Sequence, residues 1–356
     1  MTKPKDRITV WGNTHLKELI VKCMQEEGPC CDLNHLDVSK IANFDDVFLD
    51  SDFTGNVSEW DLSNAITMNR MFKNSQFSGD IAKWNVANVT SMQHLFHQSW
   101  FNNNIADWNT SKVTCMQGLF RHSVFNGDIS KWDVGQVIDM SSMFKDSKYN
   151  SNLDAWNVAN VTTMNAMFSG SQFNKNISNW NTSNVTDFSR MFRSAPFQGD
   201  ISKWNTSSAE DMSYMFQSSA CRSALFDVSM WDVSQVTDFA YMFQDSENPK
   251  DLSKWNIVRH ANIQRMLNER DFKVCDSPNL LHWCMALSHN KPEVLREQDR
   301  QFLEKHAPVI TMLCADTYDA AFMIHRMWLQ ENADVDWLET ETFALPELDM
   351  PKGLGV

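Results

Sequence analysis

A tryptophan recurs at almost constant spacing along this chain: Trp60, Trp84, Trp108, Trp132, Trp156, Trp180, Trp204, Trp231 and Trp255. Seven of the eight intervals are 24 residues, and the other is 27. A fixed period of about 20–50 residues marks a repeat architecture, in which each unit buries its apolar face against its neighbours. That overrides the division into two or three globular domains that 356 residues would otherwise suggest. The functional question moves from which pocket does chemistry to which long surface is displayed.

One unit runs Trp84-Asn85-Val86-Ala87-Asn88-Val89-Thr90-Ser91-Met92-Gln93-His94-Leu95-Phe96, then through Ser99, Phe101 and Ile105 to Trp108. Trp-Asn-Val-Ala alternates apolar with polar residues, which predicts a short strand with Trp and Val inward. Val89, Met92, Leu95 and Phe96 fall at helical spacing and predict a short helical turn. Phe77 to Ile81 and Phe125 to Ile129 supply the turn into the next strand. The expected fold class is an α/β solenoid of about ten 24-residue coils, with parallel strands on one side and helical turns on the other. At ~4.8 Å per pairing, such an array spans roughly 45–50 Å.

Recurring residues fit structural roles. Met92, Met116, Met140, Met164 and Met212 hold helical core positions, where methionine fills irregular space. Ser75, Ser99, Ser123, Ser147, Ser171, Ser219 and Ser246 follow each turn, where a hydroxyl satisfies loose backbone groups. The Asn or Asp after each Trp should form a ladder on the outer face. Most members are neutral Asn, which argues against calcium.

The unit F-x-G-D-I-x-x-W-[ND]-V-[SA]-x-V-T-x-M-x-x-M-F-x-x-S resembles the BspA-like leucine-rich-repeat family of bacterial surface proteins and lipoproteins. Phe125-Asn126-Gly127-Asp128-Ile129-Ser130-Lys131-Trp132-Asp133-Val134 is among its clearest copies, and the resemblance runs from about Leu36 to Phe272. It implies an LRR-like right-handed coil that binds proteins or matrix and carries no catalytic residues. The opening MTKPKDRITVWGN has neither the apolar core of a signal peptide nor a following lipid-attachment cysteine. Cytoplasm is the expected compartment, with surface display by another route left open.

Three regions follow. Residues 1–35 should cap the array through a helix over Thr14 to Glu27, with Leu16, Leu19, Ile20, Cys23 and Met24 on one face and a stop at Gly28-Pro29. Residues 36–274 form the solenoid, with Leu36 in the first Trp position. Residues 275–356 lose the period and predict helices over Asn279 to Ser288, Pro292 to His306 and Thr317 to Asn332, followed by an acidic tail. This last region is a cap or a small domain.

The formal charge of -14 argues against nucleic acid and anionic membrane, and no run of ~20 apolar residues suggests a membrane span. Eight cysteines without CxxC spacing read as reduced thiols. No nucleophile–base pair, phosphate loop or recognisable metal spacing emerges, so neither enzyme activity nor a cofactor is expected. Variable positions beside the Met/Leu-Phe pair carry Arg70, Lys73, His94, His97, Trp100, Arg121, His122, Lys145, Arg190 and Arg193, a basic and aromatic stripe suited to an acidic partner. Cys221 and Arg222 mark the inserted residues of the 27-residue interval, a second candidate. The expected function is a non-catalytic scaffold for protein–protein interaction. The nearly uniform sheet face would instead suit self-association or a polysaccharide. Two further readings are an effector or inhibitor acting through its C-terminal helical module, and an acidic phage or host-interaction protein that occupies a basic partner.

Overall fold

Every 24 residues the backbone returns to pair with itself. The computed structural model describes residues 6–220, 227–246, 252, 255, 257–258, 261–266, 283–284, 295–313 and 317–332. Residues Met1–Val274 and Cys275–Val356 form separate units and are taken in turn.

In the first unit a column of single-residue parallel bridges links Asn43, Thr67, Ser91, Cys115, Asp139, Thr163, Asp187, Asp211, Asp238 and Asn262. The bridging residue directly precedes the first Met of the Met-x-x-Met-Phe segment. From there every second N–H reaches the next repeat. Met68 donates to Ser91 at 3.1 Å, Arg70 to Gln93 at 2.8 Å, Phe72 to Leu95 at 2.9 Å and Asn74 to His97 at 2.7 Å.

The expected helical turn is therefore a ribbon of tight turns that carries the pairing between repeats. Among the described residues, the Trp-Asn-Val segment expected to be a strand carries no bridge; its counterpart in the first coil, Leu36–Asp37, is a strand. The reason lies in the spacing. Turn bonds such as Leu95 N–H to Met92 C=O, at 3.2 Å, place residues three apart on one side, as a helix does. The ribbon also needs left-handed residues: Arg70 has φ 54° and Asn74 has φ 52°, and His94 and Gln98 repeat the pattern at 53° and 55°. A helix excludes these values.

Each repeat turns three corners, and many of them begin with an Asx-type contact. Asp80 Oδ1 accepts from the N–H of Ala82 at 2.9 Å, and Asn85 Oδ1 from that of Ala87 at 3.2 Å. At the bridging column, Asp139 Oδ1 accepts from the N–H of Ser141 at 2.7 Å. This is the mechanism by which Asn and Asp favour turns. From Asp61 to Asp232, the exposed Asn/Asp after each Trp thus has one oxygen committed to its own corner. Buried Ser75, Ser99 and Ser123 serve as expected, each accepting the N–H of the residue two ahead at 3.1–3.2 Å.

Between the corners lies the core. Tryptophan rings stack at 6.2–6.5 Å with interplanar angles of 3–8°. The column from Phe48 through Phe72, Phe96 and Phe120 to Phe243 stacks at 5.3–5.9 Å. Each of the nine indole nitrogens donates to a main-chain carbonyl of an earlier repeat at 2.8–3.2 Å. The offset is 27 residues except at Trp231, which reaches back 30 to Ile201. The bridge from Asp211 to Asp238 likewise spans 27, so both columns cross the insertion without a break.

The start of the array is capped. Strand β1 (Ile8–Thr9) pairs in parallel with β2 (Leu36–Asp37), and helix α1 (Asn13–Glu27) buries Leu16, Ile20 and Cys23, leaving Leu19 and Met24 half-buried. Asn13 Nδ2 donates to the carbonyls of Asn43 at 3.1 Å and Asp45 at 2.9 Å. Those acceptors have no preceding repeat to satisfy them, so Asn13 supplies the missing donor.

In the second unit, α2 (Glu297–Leu313) packs with α3 (Thr317–Asn332). Helix α3 has the expected bounds. Helix α2 begins later than Pro292 and continues beyond His306 through Pro308. Buried Leu303 and Ile310, on either side of that residue, offset the backbone bond that proline removes. Most of the helix expected over Asn279 to Ser288 lies outside the described residues.

Candidate functional site

The variable side chains stand on the pairing ribbon. Two left-handed positions recur in each repeat, and the first is Asp46, Arg70, His94, Gly118, Ser142, Ala166, Arg190, Tyr214, Tyr241 and Arg265 in chain order. Lys73, His97, Arg121, Lys145 and Arg193 occupy one shared position three residues beyond that column. Neighbours in this register lie one pairing distance apart, about 4.8 Å.

The structure sorts the expected site residues. Arg70 is held by Asp46 of the preceding repeat through Nε–Oδ1 at 2.7 Å and Nη2–Oδ2 at 2.8 Å. That fork lowers the Asp46 carboxyl from its ordinary value. His122 lies 3.4 Å from Asp146. Arg190 and Arg193 sit over the Tyr214 ring at 4.9 and 5.8 Å, and Tyr214 stacks on Tyr241 at 4.8 Å. Lys73, Arg121 and Lys145 form no ion pair among the described residues. Cys221 and Arg222 lie outside the described residues.

His94, His97 and His122 come together across two repeats, with ring centroids 5.2 Å apart for the first pair and 5.9 Å for His97 and His122. His94 occupies space that Gly118 leaves open, since a Cβ there would lie 2.1 Å from His94 Nδ1. Burial, then Lys73 and Arg121, push the His94 imidazole below its usual range. Burial first, then His94 and Arg121, bring His97 down to about 4. Trp100, three residues past His97, is 68% exposed outside the tryptophan column. Among the described residues, no three His, Cys, Asp or Glu side chains converge to hold a metal ion.

Sequence reasoning missed two groups on this ribbon. Tyr214 and Tyr241 share the repeat position of Arg70 and His94, a register that would have found them. Asp187, Asp211 and Asp238 stack along the bridging column. Burial raises the Asp211 carboxyl, and its two acidic neighbours add to that, against the lowering effect of the Ser213 contacts.

The family described as "Mycoplasma protein of unknown function, DUF285" matches residues 14–123, 74–172, 145–225 and 171–274. The chain belongs to that family. The four matches overlap because DUF285 is itself a repeat family, and they cover the array and its helical cap. They support a repeat protein without distinguishing the BspA-like type. No curated protein and no solved structure matches the chain. No described helix is long and apolar enough to cross a membrane.

Proposed function

We propose that this DUF285 chain is a non-catalytic scaffold for protein–protein interaction, built as an LRR-like solenoid of the BspA type. The observation that carries this reading is the left-handed column of the ribbon. Glycine sits at positive φ without cost, whereas most side chains pay roughly 1 kcal/mol or more there. Yet only Gly118 among the ten residues of that column is glycine; the others include Asp46, Arg70, His94, Arg190, Tyr214 and Tyr241. The corner after each Trp, in contrast, keeps to Asn or Asp. Large and varied side chains at strained positions of a uniform frame, most of them half-buried or exposed, suit recognition. A rigid frame also keeps the ordering cost of binding low.

Capture of partners from a native lysate tests the reading. The Trp100→Ala/Arg121→Glu variant should lose partners that the wild type retains, whereas Lys83→Glu, in the corner before Trp84, should not. Equal capture by all three would count against recognition through the ribbon. The separate second unit, Cys275–Val356, favours a second reading in which that module is the effector. Partner binding that survives in residues 1–274 alone would argue against it.

A further inference from the structure

The chain carries a charge of -14, yet Lys73, His97, Arg121 and Lys145 follow one another in four successive repeats at one position. Two carboxylates of these repeats are already engaged: Asp46 holds Arg70, and Asp146 lies against His122. His94 Nδ1, His97 Nδ1 and Arg121 Nε are buried without a hydrogen-bond partner. Of these, the Arg121 Nε–H is a donor in every protonation state and is left without an acceptor. Both histidines are held toward the neutral form by burial and surrounding cations. Lys73, Arg121 and Lys145 bring positive charge to these repeats and form no ion pair among the described residues. Trp100 adds an exposed aromatic surface in the same repeat as the two histidines.

We infer that Lys73, Arg121 and Lys145, together with the neutral imidazoles of His94 and His97, form a docking site for an acidic protein segment, whose carboxylates meet the lysine and arginine cations while an apolar residue packs on Trp100. The inference rests on the scaffold reading and names the chemistry of its partner. A protein segment fits better than nucleic acid for two reasons. The basic run is only four repeats long, and the surrounding acidic surface repels an extended polyanion. Carboxylates on a short acidic segment supply counter-charge to Lys73, Arg121 and Lys145, and an aromatic beside arginine is what interface anchors favour.

The test is fluorescence anisotropy of the full chain at about 50 mM salt, where surface charge is least screened. The probes are a fluorescein-labelled peptide of glutamates flanking one leucine, its glutamine counterpart, and a single-stranded oligothymidylate of equal charge. The glutamate peptide should bind and the glutamine peptide should not. Arg121→Glu and His97→Glu should weaken binding by about tenfold or more, and Lys83→Glu should leave it unchanged. Intrinsic tryptophan fluorescence checks folding, and Arg121→Gln with Lys73→Gln repeats the test should a charge reversal unfold. Undiminished binding by these variants, or no binding of the glutamate peptide, overturns the inference. Tighter binding of the oligonucleotide overturns the assignment to a protein segment. A failed peptide titration alongside ribbon-dependent partner capture removes this site alone. Loss of ribbon dependence in the capture removes the scaffold reading itself.

Discussion

The indole nitrogen of Trp132 donates to the carbonyl oxygen of Ile105 at 3.0 Å, 27 residues earlier in the chain. The same ring is buried, lies parallel to Trp108 at 6.3 Å and touches Phe120 at 6.1 Å. One side chain thus supplies stacking, burial and a donor to the preceding repeat. Trp132→Ala should cost about 3–5 kcal/mol, measured by urea unfolding. Trp132→Phe keeps most of the burial but leaves the Ile105 carbonyl without its donor, and should cost about 1–3 kcal/mol. A loss below ~1 kcal/mol for the alanine variant would contradict the inward placement.

Tyr149 stands where the other repeats have Phe53, Phe77, Phe101, Phe125, Phe173 and Phe197. It is fully buried and its hydroxyl has no partner, so burial pushes its ionisation far above the usual tyrosine range. Tyr149→Phe removes an unsatisfied polar atom while keeping the stack on Phe125 and Phe144. Stability should rise by about 1–3 kcal/mol in thermal or urea melts. A destabilised variant would mean that the hydroxyl has a partner.

Asp211 illustrates the opposite sign from an ordinary paired carboxylate. Its folded-state value is raised above that of an ordinary aspartate by burial and by Asp187 and Asp238, so the folded protein holds this proton more tightly than the unfolded chain. The penalty is absent below the unfolded value, grows as pH rises toward the folded value and is complete above it. Asp211→Asn keeps the acceptor for Ser213 N–H, now at 2.8 Å, and removes the charge. Its Tm should exceed that of the wild type at pH 7, and the difference should vanish in acid. An unchanged or lower Tm at neutral pH would reject the account.

His97 gives the complementary pH dependence. Its folded-state value falls from 6.5 to about 4, chiefly by burial. The unfolded chain therefore takes up this proton first. Stability linked to His97 is present above pH ~6.5 and is lost as pH falls toward about 4. His97→Gln should flatten the decline in Tm across that window. An unaltered slope would place the imidazole in water.

Much of this frame was legible in residue spacing. The period, the inward Trp and Phe columns, the serine hydroxyls that accept the backbone two residues ahead and the capping helix all rest on periodic burial, which a sequence displays directly. The route of the backbone did not. Met92, Leu95 and Phe96 have the spacing of a helix and of successive turns alike, and only the left-handed conformations of His94 and Gln98 separate the two. Neither residue announces such a conformation as glycine would. The ten basic and aromatic site residues were picked out by their variability. Which of them is already engaged depends on the preceding or following repeat, as with Arg70 on Asp46 or His122 on Asp146. A reading of one repeat at a time does not show those pairs.

The claim that this chain recognises its partners through the pairing ribbon is tested most directly by site-specific photo-crosslinking in native lysate. A crosslinking residue is placed at His97 on the ribbon in one protein and at Ala87 in the corner after Trp84 in another. A discrete protein adduct at position 97 and none at position 87 is the expected result. Adducts at position 87 alone would contradict the account and move recognition to the uniform face.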